Sequence, residues 1–434
     1  MVFHDVSAKM ETPAPAARAA EVSAEDAAPA VRLSFWRGGG SARAGALWSR
    51  FAGDPSLRAA VFAFTFSRVV VLTILIVGGQ INQTTSAGVE GPRQVDLSLR
   101  RISIARILRR TVLTADANWY AGIVTKGYHK TAFKTDTHYN WGFFPLYPIL
   151  WRLVWNVTGE LPITGMVLSH VFFLVALFFV HRSALAFGYE ERIASRALFY
   201  LAFFPTSYFY SLPLPESLFL LLTAASLNSA GRGRWLAAGL CGAIASATRF
   251  TGVLLLPALV ALYWQTHRLN WRRREVLSLC LIPVGLLSFM SYLQAITGNA
   301  FAFKGAMVAW GRSTSIFLVP LLDFLRDPLL LTNQWDFRVM NFTAAMLAII
   351  CGLVLLRKRC WAFGLYTLGS ILVTLSSVML QSQARYAMVL FPMYFVLAAA
   401  GERGRVDEVI QTASVALLCL MTALFAAYFS FVLS

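Results

Sequence analysis

The segment DANWY, residues 116–120, places one carboxylate beside an aromatic pair, Trp119 and Tyr120. A carboxylate can take a proton from a hydroxyl group, and on a loop that folds back onto a membrane it suits a base that meets a lipid-borne substrate. Asp is also a common helix N-cap, so Asp116 could serve only to begin a helix over residues 119–124. The residue types alone leave both interpretations open.

Three further charges are predicted on the same outer side of the protein. Glu216 follows Pro215 where a helix is predicted to enter the membrane, and Arg249 and Arg385 lie at the ends of apolar segments. A carboxylate at a helix N-terminus, or an arginine that extends to the membrane surface, needs no function. Charges within a membrane are costly, however, and several on one face indicate a site. Arg68, inside the first apolar segment, has the same two interpretations and no predicted partner.

The composition indicates a protein built for a lipid environment. Of 434 residues, 57% are hydrophobic and only 14% are charged, and the mean hydropathy is +0.61. The formal net charge of +17 is divided among short basic clusters between apolar segments. That pattern is typical of membrane proteins with positive cytoplasmic loops and not of a nucleic-acid-binding surface. The five cysteines lie in or beside apolar segments without a CxxC spacing, so neither a disulfide framework nor a metal site is predicted.

These patterns predict an all-α polytopic membrane protein with about 11 transmembrane helices. We expect residues 1–57 to form a disordered cytoplasmic tail and residues 58–434 to form the membrane domain. Basic residues bound the segment 235–264 at both ends, which favours two short crossings with Arg249 near the outer tip. The outer loops are predicted near 80–160 and 298–338, and the spans near 59–77, 161–181, 195–211, 214–230, 235–264 (two), 276–296, 340–356, 361–380, 386–400 and 411–432.

Two segments of the first outer loop have patterns of their own. Residues 97–113 carry arginines among Leu and Ile with helical spacing, which predicts a basic amphipathic helix in the membrane interface. Such a helix could anchor the loop to anionic headgroups or guide a lipid phosphate. Residues 143–155 are apolar but short and contain two prolines, so we expect a re-entrant or juxtamembrane segment.

The motifs, taken in order, resemble those of the PIG-V-like family of mannosyltransferases, within the GT-C superfamily of membrane glycosyltransferases. The resemblance covers residues 58–400. Each motif is weak alone, and their order and topology make the set fairly specific. The motifs are Asp116-x-x-Trp119-Tyr120 with Gly127-Tyr128, Phe143-Phe144-Pro145-Leu146-Tyr147-Pro148, Phe204-Pro205 through Pro215-Glu216-Ser217-Leu218-Phe219, Ala247-Thr248-Arg249-x-x-Gly252, and Arg385-Tyr386 with Pro392.

The resemblance implies an inverting glycosyltransferase that moves a sugar, above all mannose, from a polyprenyl- or dolichyl-phosphate donor to an acceptor hydroxyl on the extracytoplasmic face. It implies Asp116 as the catalytic base. Family members often have a second acid nearby, whereas Asn118 stands in that position here and the next acid in the loop is Asp136. The Ala/Pro-rich N-terminal segment looks bacterial, so we expect an integral protein of the bacterial cytoplasmic membrane, with its N-terminus in the cytoplasm and its site outside.

The same resemblance assigns expected roles to the other site residues. Arg249 and Arg385, with Tyr386, are expected to hold the donor phosphate, because a guanidinium group can bind phosphate through two parallel hydrogen bonds. No cofactor or divalent metal is expected, since the lipid-phosphate sugar is a substrate and no residues have ligand spacing. The expected partners are membrane lipid, the donor and an acceptor of unknown identity, and not nucleic acid. The sugar or acceptor pocket is expected to include Trp119, Tyr120, Trp141, Tyr147, Glu216 and Asp136.

Two other classes of function compete with this interpretation. A transporter, or a flippase that moves a glycolipid, is predicted to show an inverted repeat with helices broken at corresponding places, and the sequence shows neither. A non-catalytic scaffold in a membrane complex is the third class. The resemblance favours the enzyme, although a resemblance at the level of fold is an analogy and function must be argued from the site.

Overall fold

The computed structural model describes residues 53–85, 104–267, 274–328 and 337–428. Residues 1–52 of the predicted tail and residues 97–103 of the predicted interfacial helix lie outside these ranges. Within them the regular secondary structure is helical, apart from an isolated β-bridge between Thr314 and Ser377. The all-α prediction is therefore confirmed for the part of the chain that the structure describes.

The described ranges contain α-helices joined by short turns and 3-10 segments. The 3-10 segments are Asn140–Gly142, Ser207–Ser211, Phe250–Leu254, Arg274–Leu281 and Ala306–Trp310. In chain order the α-helices are α1 (Pro55–Thr85), α2 (Ile104–Val112), α3 (Asp116–Lys126), α4 (Leu146–Thr158), α5 (Leu161–Ala186), α6 (Glu191–Ala202), α7 (Glu216–Gly231), α8 (Trp235–Ser246), α9 (Leu255–His267), α10 (Val284–Thr297), α11 (Ala302–Gly305), α12 (Leu318–Arg326), α13 (Arg338–Arg357), α14 (Trp361–Leu375), α15 (Gln383–Met388), α16 (Pro392–Ala400) and α17 (Gly404–Ala426).

Several helices are long and apolar enough to cross a membrane. A crossing helix needs about 20 predominantly apolar residues. Only 28–44% of the most apolar stretch of each is buried inside the protein, so most of these side chains face outward. The chain is therefore an integral, polytopic membrane protein. Among the described residues these segments are Pro55–Ile81, Leu161–Ala186, Glu275–Thr297, Arg338–Arg357 and Gly404–Ala426.

Other predicted spans are discontinuous, and Arg249 lies at one of the breaks. The predicted pair of short crossings in 235–264 is found as α8 and α9, with Arg249 between them. Residues 195–211 form the end of α6 and a separate 3-10 segment, and residues 386–400 belong to α15 and α16. Non-helical backbone at membrane depth is tolerated where protein surrounds it or where it lines a cavity.

Helix α7 is enclosed by its neighbours on nearly all sides. On one side Ser183 of α5 donates a hydrogen bond from Oγ to the carbonyl of Ala224 at 2.9 Å. On the other, Ser226 donates to the carbonyl of Ala238 in α8 at 2.8 Å. Hydroxyl groups and small residues allow membrane helices to approach closely. Because α7 begins at Glu216, the first turn of this enclosed helix lies inside the protein.

Arg68 has a structural partner that the sequence did not indicate. Its guanidinium donates hydrogen bonds to the carbonyls of Ala202 and Ser207 at 3.1 and 2.8 Å, and to the Ser211 hydroxyl at 2.8 Å. It also lies 4.8 Å from the centre of the Phe173 ring. Arg68 thus fixes the connection that leads from α6 to α7, and with it the position of Glu216.

The described part of the predicted interfacial helix is amphipathic, as expected. In α2, Arg106 and Arg110 are exposed, whereas Ile107 and Leu108 are buried. Arg109 forms a surface salt bridge of 2.7 Å with Glu160. The basic face of α2 is therefore free to meet lipid headgroups.

Candidate active site

The structure brings four of the predicted site residues together in one ionic cluster, the arginine–carboxylate cluster of Asp116, Glu216, Arg249 and Arg385. Arg385 donates from Nη1 to Asp116 Oδ2 at 2.5 Å and from Nε to Glu216 Oε1 at 2.7 Å. Arg249 donates from Nη1 to the same glutamate oxygen at 3.0 Å. The four residues belong to four separate segments of the chain, so only the tertiary fold assembles them.

Asp116 is the member of this cluster that can meet a substrate. Its side chain is 36% exposed, against 16% for Arg249, 6% for Arg385 and 0% for Glu216. Asp116 is the first residue of α3, the N-cap position is Ala115, and no side-chain capping hydrogen bond forms there. The capping interpretation therefore does not describe this aspartate, whose carboxylate is turned to Arg385 instead.

Glu216 is completely buried, and its two oxygens differ sharply. Oε1 accepts hydrogen bonds from both arginines, whereas Oε2 has no hydrogen-bond partner among the described residues. A buried carboxylate is costly unless it is paired, so the two arginines are what make this position tolerable. Glu216 has no surface to offer a sugar in this structure, in contrast to its expected place in the pocket. Its contacts show that it holds the two guanidinium groups.

The backbone is strained immediately before both helices that carry the exposed ion pair. Ala115 has φ 47° and ψ −123°, and Ser382, the N-cap of α15, has φ 60° and ψ 15°. Residues other than glycine rarely adopt positive φ, and such a conformation costs about 1–3 kcal/mol unless the surrounding structure enforces it. Ala115 directly precedes Asp116 and Ser382 lies three residues before Arg385, so both strained residues stand where the helices of the ion pair begin.

Tyr386 joins the cluster to a third arginine that the sequence analysis did not select. The ring of Tyr386 lies under the Arg249 guanidinium, 5.0 Å from its centre. Arg312 donates from Nη1 to the Tyr386 hydroxyl at 2.6 Å, from Nη2 to Ser382 Oγ at 3.0 Å and from Nε to Gln381 Oε1 at 3.1 Å. No local signal singles out Arg312, because the predicted outer loop that contains it also carries Lys304 and Arg326.

A group of aromatic residues begins one turn after Asp116. Trp119, one turn along α3, stacks on Phe143 at a centroid distance of 5.8 Å and meets the edge of Trp310 at 5.3 Å. Tyr120 is buried and meets Phe143 edge-on at 5.2 Å. Burial raises the pKa of the Tyr120 phenol far above its usual value, so this hydroxyl stays protonated. Of these residues only Trp119 and Trp310 retain surface beside the aspartate.

Three residues expected in the sugar pocket are placed elsewhere. Trp141 is fully buried and donates from its indole nitrogen to the carbonyl of His129 at 2.8 Å. Tyr147 is fully buried, and its hydroxyl lies 2.9 Å from the carbonyl of Gly165. Asp136 is exposed, with a hydrogen bond only from the neighbouring Thr137 among the described residues. The structure therefore places none of the three in contact with the cluster: the two aromatics are used for packing, and Asp136 lies at the surface.

An apolar groove of about 620 Å³ is lined by residues from several of the same segments that carry the cluster. Ala247, two residues before Arg249, lies in its wall. Other parts of the wall are formed by Ile123, near the end of α3, and by Tyr128, just after it. Ile244 of α8 and Phe289 of α10 also line the groove. The groove is almost wholly apolar, so its chemistry suits a hydrocarbon chain.

Among the described residues, no group of three or more His, Cys, Asp or Glu side chains could hold a metal ion. The two carboxylates of the cluster are instead matched by arginines. The chemistry that this site offers is therefore a carboxylate beside guanidinium groups.

Comparison with known proteins yields a likeness of structure. No protein-family model matches the chain, and no curated protein matches it. Among solved structures, the chain is similar to ArnT from Cupriavidus metallidurans, bound to undecaprenyl phosphate, with 12% sequence identity and a TM-score of 0.47. The match covers 85% of this chain and 76% of that one. A likeness of this size does not establish a shared activity.

Proposed function

We propose that this protein is an inverting GT-C-type glycosyltransferase that moves a sugar, most readily mannose, from a polyprenyl-phosphate donor to an acceptor hydroxyl. One observation carries the proposal: a partly exposed carboxylate, Asp116, is held by a guanidinium, and the segments that carry Asp116 and Arg249 also contribute Ile123 and Ala247 to an apolar groove. The carboxylate suits a proton acceptor, the arginines suit a phosphate, and the groove suits a lipid chain. These are the three features that a lipid-phosphate sugar requires of an enzyme.

The reaction is a single displacement in this proposal. The acceptor oxygen attacks the anomeric carbon and forms the new C–O bond, while the bond from that carbon to the phosphate oxygen breaks. The leaving phosphate takes the bonding electron pair, and the acceptor proton passes to the Asp116 carboxylate. Because attack and departure occur on opposite sides of the carbon, the sugar configuration inverts.

Arg249 is the better placed of the two predicted phosphate ligands. Arg385 directs Nε and Nη1 to Glu216 and Asp116, so its main contribution is to orient the base. Arg249 gives only Nη1 to Glu216, which leaves Nε and Nη2 without a hydrogen-bond partner among the described residues. Its guanidinium therefore has donors to offer an anion, over the ring of Tyr386.

The apolar groove is the proposed seat of the lipid chain. Arg249 lies two residues after Ala247, which is part of the groove wall. In this proposal the phosphate of the lipid contacts Arg249 and its chain lies in the groove. Trp119 and Trp310, beside Asp116, supply the flat surfaces on which a sugar ring can pack. The mannose donor, the PIG-V-like relationship and an extracytoplasmic site in a bacterial membrane are parts of the same proposal, supported by the sequence motifs and by the charge distribution of the loops.

The proposal is tested by activity on a defined donor. Purified protein is incubated with polyprenyl-phosphate mannose and a membrane extract, and glycosylated products are identified by mass spectrometry. We expect a mannosylated product that is absent when Asp116→Asn protein replaces the wild type. Movement of the intact donor across vesicle membranes, without product, would assign the protein to the flippase class instead.

A further inference from the structure

The second outer loop supplies the site with a cation whose charge no carboxylate balances. All three hydrogen bonds of Arg312 among the described residues go to neutral groups, namely Gln381, Ser382 and the Tyr386 hydroxyl. The described residues include no salt-bridge partner for it. Around Tyr386, three arginines thus face two carboxylates, and the site carries an excess positive charge.

The backbone next to Arg312 is fixed by hydrogen bonds to a second segment of the chain. The amide of Val378 donates to the carbonyl of Ser313 at 3.1 Å, and the amide of Ser315 donates to the carbonyl of Ser376 at 3.3 Å. Thr314 and Ser377 form the β-bridge between these two segments. The guanidinium is therefore fixed before any ligand arrives, which lowers the entropic cost of binding.

The fixed guanidinium still has hydrogen-bond donors to give. Arg312 has five N–H groups, and its three protein contacts use one on each nitrogen. One N–H remains on Nη1 and one on Nη2, and both can be donated to the oxygens of a phosphate. The side chain is half-buried, so it is both accessible and shielded from bulk water.

We infer that Arg312 is the principal anchor of the lipid phosphate, acting together with Arg249 across the ring of Tyr386. The inference rests on the proposed function, because it takes the phosphate of the lipid donor as its ligand. It also gives the arginines different roles. Arg385 orients the proposed base, Asp116, while Arg312 and Arg249 bind the phosphate that leaves. A phosphate that departs with a growing negative charge needs cations that are not already neutralised by carboxylates.

The test measures affinity for polyprenyl phosphate in nanodiscs of neutral phosphatidylcholine. We expect Arg312→Gln to weaken binding about tenfold or more, the worth of a charge-assisted contact, and Arg312→Lys to weaken it less. Arg326→Gln, the same change at an exposed position of the same loop, should bind like the wild type. Polyprenol of the same chain length lacks the phosphate, and its affinity should be equal in all variants.

Each outcome decides the inference. If Arg312→Gln loses polyprenol as well, the residue is structural and the inference is overturned. Should that variant fail to fold, Arg312→Lys is measured instead, and a polyprenol affinity that falls as far as the polyprenyl-phosphate affinity overturns the inference too. If the wild type binds phosphatidylglycerol as tightly as polyprenyl phosphate, the anchor is for bulk anionic lipid and the inference is again overturned. Unchanged binding by Arg312→Gln contradicts only the role of Arg312, whereas a wild type that does not bind polyprenyl phosphate contradicts the proposed function as well.

Discussion

Asp116 and Arg385 are separated by 269 residues of sequence, and their side chains meet in an ion pair of 2.5 Å. The same arginine reaches Glu216 at 2.7 Å, so an exposed and a buried carboxylate are joined through one guanidinium. The orientation of Asp116 therefore depends, through Arg385, on Glu216, which is buried beyond the reach of a substrate. This coupling determines what each substitution in the cluster is expected to do.

Asp116→Asn should remove the proposed base while keeping the size of the side chain. We expect a folded protein with turnover reduced on the order of 10²–10⁴-fold, the usual contribution of a general base. Donor affinity should survive, because the carboxylate acts on the acceptor. Turnover, donor affinity and thermal unfolding are measured on one detergent-purified sample. Asp136→Asn, an exposed acid of the same loop, is the matched control and should be active. Near-normal turnover of folded Asp116→Asn would show that the base lies elsewhere.

Glu216→Gln should damage both stability and turnover, although Glu216 touches no substrate. It removes the negative charge that Arg249 and Arg385 share, and breaking a buried ion pair costs about 3–5 kcal/mol. Glu160→Gln is the matched control, because its pair with Arg109 is exposed and such pairs contribute about 0–1 kcal/mol. Thermal unfolding in detergent compares the two variants. Equal unfolding temperatures of the two variants would mean that the pairing of Glu216 with Arg249 and Arg385 does not stabilise the fold.

Arg249→Ala should weaken donor binding more than it weakens folding. We expect about a tenfold loss of affinity for polyprenyl-phosphate mannose or more, with partial recovery in Arg249→Lys because the two-pronged contact is lost. Arg106→Ala, on the exposed face of α2, should have a milder effect. Equilibrium binding in nanodiscs provides the measurement. If Arg106→Ala has the larger effect, the interfacial helix and not the cluster captures the phosphate.

The proposed orientation places the two outer loops together and the basic connections opposite. In a background without the five native cysteines, single cysteines at Asn118, Thr137 and Ser313 should react with a membrane-impermeant maleimide added to intact cells. Cysteines at Arg234 and Glu402 should react only after permeabilisation. All five positions are exposed, so a difference in labelling reports sidedness and not burial. Labelling of Arg234→Cys in intact cells would contradict the predicted topology.

The parts of the site that could be predicted are those where charge interrupts apolar sequence. Glu216, Arg249 and Arg385 stand out because each is an unusual residue for a membrane segment. The helix break at Arg249 follows from basic residues at both ends of a 30-residue stretch that is too long for a single short crossing, and it is found between α8 and α9. In both cases the cost of charge in lipid makes the pattern informative.

The parts that could not be predicted depend on which side of an element faces inward. Tyr147 belongs to a motif and Trp141 lies two residues before the same motif, and only packing reveals that both are buried. Arg312 lies in an outer loop that also contains Lys304 and Arg326, so nothing local distinguishes it. Its importance comes from Tyr386 and Ser382, which are distant in sequence and adjacent in space.

The positive φ angles of Ala115 and Ser382 place backbone strain at the start of each helix that carries the ion pair. Together these two conformations cost about 2–6 kcal/mol of backbone strain energy in the turns that precede Asp116 and Arg385. Such conformations persist only where the rest of the fold enforces them. A peptide that covers only the first outer loop would relax to negative φ at residue 115 and turn its carboxylate away. The reactive geometry is thus a property of the assembled bundle, and no excised fragment of this chain will reproduce it.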